Sequence, residues 1–245
     1  MFLRRFFTML CLAAILALPV QAEQQTKYVA LTFDDGPSGR FTRRLLEGLE
    51  EYNAHATFFL CGYRLEDYGE LAQDIRHGGH EIGLHGYSHD SMANMSSETL
   101  VRELTGTRAL LPEGCVVNVM RPPGGADGGC VAEVAREQNL SIVSWSVDPK
   151  DWADHDADLV YRRLMEQVED GAVILMHDMS DSSVDAALRL AEELDNEGYQ
   201  MLTVSQLAML RLTQLKPGAV YHCFPAENVK HLQTSARDAC FLSPG

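Results

Sequence analysis

Short apolar runs alternate along this chain with longer stretches in which apolar residues recur every three or four positions. The runs at 28–33, 56–60, 81–84, 116–120, 141–147, 172–176 and 200–204 are mostly rich in Val, Ile, Leu or Phe. They are too short for helices and read as buried strands. Between them, Phe41, Leu45, Leu46, Leu49 and Tyr52 share one helical face, and Leu159, Leu164 and Val168 share another. Val184, Ala187, Leu188, Ala191 and Leu194 form a third stripe, with Asp and Glu opposite, as expected for helices packed on a sheet. Seven strands alternating with helices predict a parallel α/β sheet covered on both faces. A closed or nearly closed barrel fits this rhythm, and an open doubly wound sheet competes with it. The rhythm stops after residue 212. Residues 213–245 contain Pro217-Gly218 and two cysteines, which predicts a surface appendage or tail.

The first 22 residues have a different character. Arg4 and Arg5 precede an apolar stretch over 6–20, and Val20-Gln21-Ala22 offers small residues at a cleavage point. This is the pattern of a secretory signal, leaving 23–212 as the main folded domain. The expected location is outside the cytoplasm: secreted, cell-envelope or periplasmic. An uncleaved leader would anchor the chain; once cleaved, no stable membrane association is expected.

Composition narrows the partners. Twenty Lys and Arg against 35 Asp and Glu give a formal charge of −15, which repels nucleic acid and anionic membrane surfaces. There are six cysteines, of which Cys11 falls in the leader. Disulfides persist outside the cytoplasm, and separation along the chain favours Cys115–Cys130 and Cys223–Cys240. Cys61 ends an apolar run and reads as a buried thiol.

Chemistry gathers where the predicted strands end. The first runs into Thr32-Phe33-Asp34-Asp35-Gly36-Pro37, and the third into His85-Gly86-Tyr87-Ser88-His89. The fourth gives Arg121-Pro122-Pro123-Gly124-Gly125, the fifth Asp148-Pro149-Lys150-Asp151-Trp152, and the sixth Leu175-Met176-His177-Asp178. In an α/β barrel the loops at the carboxyl ends of the strands build the active site. Each segment has an ordinary reading. Asp-Asp-Gly-Pro is a turn sequence, an isolated H-x3-H pair sits as readily on a surface, and Trp152 and Leu175 suit a core. Two adjacent carboxylates at a buried strand end, however, repel each other and call for a cation. His85 and His89, four apart, can present two imidazoles to one metal, and a first-strand carboxylate completes a two-His, one-Asp set with an open position. Arg121 is placed to clamp a first-strand carboxylate. His177, with Asp151 to hold its tautomer, is a candidate general acid. His77 and His80 read as solvated or structural.

These five segments, in this order, resemble the NodB-homology polysaccharide deacetylases (carbohydrate esterase family 4) over residues 27–210. The resemblance implies an irregular (β/α) barrel and residue roles. Asp34 would be the general base, Arg121 its holder, and Asp35, His85 and His89 the ligands of zinc or another divalent ion such as cobalt. Asp151 would tune His177 as general acid. Trp152 and Leu175, with Pro123 beside them, would line the slot for the acetyl methyl. A backbone N–H at Gly124 would serve the oxyanion; the family more often has a bulky residue there, so the sugar-facing wall is expected to be flatter. The implied substrate is an N-acetylated glycan, peptidoglycan first. Chitin oligosaccharides, an exopolysaccharide, acetylxylan, a small non-sugar amide and a silent glycan-binding scaffold are the alternatives.

Overall fold

The computed structural model describes residues 26–226. The leader, Cys11 and Cys240 lie outside the described residues. Eight strands run β1 (Lys27–Asp34), β2 (Ala56–Leu60), β3 (Glu81–Leu84), β4 (Val119–Met120), β5 (Ser141–Val143), β6 (Val173–His177), β7 (Tyr199–Met201) and β8 (Val220–Tyr221). Seven helices accompany them: α1 (Gly39–Glu51), α2 (Gly62–His77), α3 (Ser97–Ala109), α4 (Val131–Glu137), α5 (Ala157–Gln167), α6 (Asp181–Asn196) and α7 (Val204–Leu210). The strands pair in parallel in the order β6-β1-β2-β3-β4-β5-β8, and β7 pairs with the start of β1. The sheet curls until its two sides meet. A parallel bridge joins Val147, just beyond β5, to Ile174 of β6, with Leu175 N–H donating to the Val147 carbonyl at 2.9 Å. The barrel reading therefore holds over the open sheet.

Strand alternation sorts the side chains of β1. Val29, Leu31 and Phe33 join the large apolar cluster shared with the helices, which includes Leu45 and Leu49 of α1 and Val184, Ala187, Ala191 and Leu194 of α6. Ala30 belongs instead to a second cluster with Phe59, Val119, Val143 and Val173, onto which Val204 and Leu207 of α7 pack. Thr32 and Asp34 follow Ala30 at two-residue spacing, so their side chains leave the strand on that second face.

Five expectations need correction. The fourth strand is shorter than 116–120, because Val116 is exposed and only Val119 and Met120 enter the sheet. The fifth stops at Val143, and residues 144–147 leave it to meet β6. The seventh starts at Tyr199 and stops at Met201, because Thr203 and Gln206 form a reciprocal capping box that starts α7. The predicted appendage contributes to the fold: β8 extends the sheet beside β5, and Phe224 is buried in the second cluster. The Cys115–Cys130 disulfide is absent. Both are free thiols, as is buried Cys61, and Cys130 Sγ lies 3.5 Å from the Met95 carbonyl oxygen. Cys223 is disulfide-bonded. Alkylation of the denatured, unreduced protein should label Cys61, Cys115 and Cys130 in peptide maps. A linked Cys115–Cys130 peptide would contradict the structure.

Candidate active site

The carboxyl ends of β1, β3, β4 and β6 converge, with the loop after β5 reaching across to β6. Asp34 is the last residue of β1 and Asp35 begins the turn that follows, with φ +70°, a left-handed conformation that Asp tolerates better than most residues. Asp35 Oδ1 lies 3.2 Å from His85 Nε2 and 2.9 Å from His89 Nε2. His85 follows β3 and is almost fully buried; His89 ends the same loop and is partly exposed. Asp35, His85 and His89 each offer one ligand atom, and these atoms all lie within 4.8 Å of one another.

The donor set fits a divalent cation on its own evidence. His85 Nδ1 lies 2.7 Å from the Arg121 carbonyl, which can only accept a hydrogen bond. Nδ1 therefore carries the proton, and Nε2 presents a lone pair towards Asp35. Asp35 Oδ1 is buried without a hydrogen-bond donor. An anionic oxygen and an imidazole lone pair facing each other are the arrangement that a metal ion resolves.

Asp34 is held by Arg121, which is completely buried. Arg121 donates from Nη1 to Asp34 Oδ1 at 2.7 Å and to Thr32 Oγ1 at 2.8 Å, from Nε to the Val143 carbonyl at 2.9 Å, and from Nη2 to the Ser144 carbonyl at 2.8 Å. Its guanidinium also stacks over Phe59 and Trp145, 4.3 and 5.5 Å from the ring centres. The other oxygen, Asp34 Oδ2, lies 3.7 Å from His85 Nε2. On the opposite flank, His177 Nε2 is 3.9 Å from Asp35 Oδ2. Asp151 grips His177 twice: Oδ1 pairs with Nδ1 at 2.8 Å and Oδ2 accepts the backbone N–H at 2.8 Å. Burial opposes the charged imidazolium, but Asp151 outweighs it and the His177 pKa is pushed up to about 9.

The remaining expected residues are less uniformly placed. Leu175 and Pro123 are buried, whereas Trp152 is 61% exposed in the loop that carries Asp151. Gly124 is exposed, with φ +63° and open space where a side chain would begin. His77 is exposed, and His80 is buried with Nδ1 accepting the Ala56 N–H at 3.1 Å; burial and then His55 pull its pKa down to about 4.

Three contributors escaped the sequence reading. Trp145, one of only two tryptophans, packs against Gly125 as well as Arg121. Asp178, next to His177, is fully buried, takes the Thr42 hydroxyl hydrogen bond and occupies the space a Gly36 side chain would need; burial pushes its pKa up to about 6. Glu103 of α3 reaches the loop between the two histidines. Only Trp145 carried a sequence signal, its rarity beside the fifth strand.

The family model described as polysaccharide deacetylase matches residues 21–143. The chain belongs to the polysaccharide deacetylase family. Among similar proteins is the peptidoglycan-N-acetylmuramic acid deacetylase PdaC of Bacillus subtilis, 34% identical over 197 residues, which are 79% of this chain and 42% of that one. The chain thus spans less than half of that relative's length. A peptidoglycan-N-acetylglucosamine deacetylase of Bacillus cereus is 33% identical, over 74% of this chain and 88% of its own. A family 4 acetyl xylan esterase from Clostridium thermocellum, solved with a cobalt ion, is 29% identical with a TM-score of 0.75, over 81% of this chain and all of that one.

The Asp151–His177 pair gives a direct test. In an NMR titration of metal-free protein, His177 should stay protonated to about pH 9. Asp151→Asn should move the midpoint down, because burial is then opposed only by the more distant charges of Asp34 and Asp35. The sign carries into stability. A raised folded-state pKa contributes stability below about pH 6.5, and this is lost as pH rises through about 9. An unchanged midpoint in the variant would remove Asp151 as the cause.

Proposed function

We propose that this chain is an exported, metal-dependent deacetylase that hydrolyses N-acetyl groups on an N-acetylglucosamine-containing glycan, most naturally peptidoglycan. The observation that carries the reading is the flanking of the Asp35-His85-His89 set by a carboxylate on one side and a charged imidazole on the other. Hydrolysis of an amide needs a base to deprotonate water and an acid to protonate the amine, because an unprotonated amine is a poor leaving group. The sugar class is supported by the peptidoglycan deacetylases among the similar proteins. Export is supported by Arg4, Arg5 and the apolar leader that follows them.

Asp35, His85 and His89 would hold zinc, with cobalt as an alternative. The bound ion supplies a Lewis acid for the acetamide carbonyl and lowers the pKa of water. Asp34, kept in place by Arg121, takes the proton of the attacking water through Oδ2, the oxygen that Arg121 leaves free. The Gly124 N–H is the proposed donor to the charge that develops on the carbonyl oxygen. His177, oriented through Nδ1 by Asp151, gives its Nε2 proton to the departing amine nitrogen. Leu175 and the partly exposed Trp152 are the proposed walls beside the acetyl methyl. The base Asp34, the acid His177 with its partner Asp151, and the ligands Asp35, His85 and His89 are all present, which favours catalysis over a silent binding scaffold.

On peptidoglycan fragments, Asp34→Asn should keep full metal content while turnover falls by roughly 10²–10⁴-fold. His177→Ala should behave alike, whereas His85→Ala should lose metal and turnover together. Metal content is read by elemental analysis and turnover by acetate release. An active Asp34→Asn enzyme would overturn the base assignment, and a fully metallated His85→Ala would remove His85 from the ligand set.

A further inference from the structure

Gly86, Tyr87 and Ser88 connect the two candidate imidazole ligands, and α3 grips all three. Glu103 Oε2 accepts the N–H of Tyr87 at 2.7 Å, the N–H of Ser88 at 2.8 Å and the Ser88 hydroxyl at 3.1 Å. One turn along the same helix, the Thr107 hydroxyl donates to the Gly86 carbonyl at 2.7 Å. The Tyr87 ring lies against Gly62 of α2 and Gly106 of α3, where an added Cβ would come within 2.3 and 3.3 Å of it. The Tyr87 hydroxyl donates to Glu66. The loop has no regular secondary structure of its own between His85 and His89.

Such a loop does not hold its shape unaided. Gly86 has φ +83° and His89 has φ +66°, both left-handed. For a non-glycine residue this conformation is strained and persists only where the surroundings impose it. Two backbone N–H groups aimed at one carboxylate oxygen are charge-assisted bonds, among the stronger ones a protein makes. Glu103 is the side chain that accepts both.

We propose that Glu103 is a positioning residue that fixes the spacing of His85 and His89 and thereby sets the metal affinity of the site. It touches neither metal nor substrate. Its carboxylate pins the peptide between the two imidazoles so that His89 Nε2 and His85 Nε2 point at Asp35 before any ion arrives. Thr107 anchors the same segment at its Gly86 end. The inference rests on Asp35, His85 and His89 being the metal site.

The test is a competitive zinc titration of the purified metal-free protein, with circular dichroism to check folding. Glu103→Asp keeps the charge but falls one methylene short of the two N–H groups. Glu103→Gln keeps the reach, with an amide oxygen still able to accept both. Glu103→Asp should weaken zinc binding by roughly 10–100-fold, the usual scale for residues that orient ligands. Glu103→Gln, which keeps the reach but not the charge, should lose less affinity than Glu103→Asp. Wild-type affinity in Glu103→Asp, or a larger loss in Glu103→Gln than in Glu103→Asp, would overturn the proposal. No zinc binding by the wild type would bring down the metal site itself, an outcome distinct from either.

Discussion

The ion pair between Arg121 and Asp34 joins the strands of the barrel to its chemistry. A fully buried guanidinium is costly unless every face of it is used, and here its donors serve β1 and the end of β5 while two aromatic rings cover it. Asp34 is consequently fixed by one oxygen and left with the other facing the candidate metal site. The backbone of the same arginine does a second task. Its carbonyl holds the proton of His85 on Nδ1, so one residue of β4's end positions both the proposed base and a proposed ligand. Removing one partner of such a buried pair typically costs about 3–5 kcal/mol, so fold and site are coupled at this point.

Around that pair the site is built by division of labour between layers. The strands carry the reacting groups to one end, and the loops and helices set their angles. Asp151 crosses from the loop after β5 to orient His177 at the end of β6. Asp178, immediately after His177, packs over Gly36, so the turn that follows Asp35 is shaped by a neighbouring strand. Glu103 and Thr107 act from α3 on the histidine loop. Asp34, His85 and His177 thus each have a partner on a different element, which keeps the two carboxylates within reach of one another despite their mutual repulsion.

Much of this was legible along the chain. The strand rhythm was legible because buried parallel strands are nearly continuous apolar runs, as in Ala56–Leu60. The candidate site residues stood out because Asp, His and Arg at the ends of such runs break the pattern. Boundaries failed where the decision was tertiary. Val116 is apolar but exposed, Ser144 to Val147 turn away to close the barrel, and Thr203 reads as strand until its bond with Gln206 starts a helix. The segment at Val220–Tyr221 is too short to show a period, yet it lies beside β5. Cys115 and Cys130 suggested a disulfide by separation, a criterion that carries no information about geometry. Glu103 and Asp178 were invisible because an acid on a helix or in a turn has no sequence mark that separates a surface charge from a buried brace.

The central claim is that a metal held by Asp35, His85 and His89, flanked by Asp34 and His177, removes acetyl groups from an N-acetylated glycan. The most direct measurement is acetate release by the purified protein on peptidoglycan fragments, chitin oligosaccharides and acetylxylan side by side, zinc-loaded and after chelation. The account predicts release from peptidoglycan fragments that chelation abolishes and zinc restores. Release that persists after complete removal of the metal, or none from any N-acetylated glycan by a fully metallated protein, would contradict it.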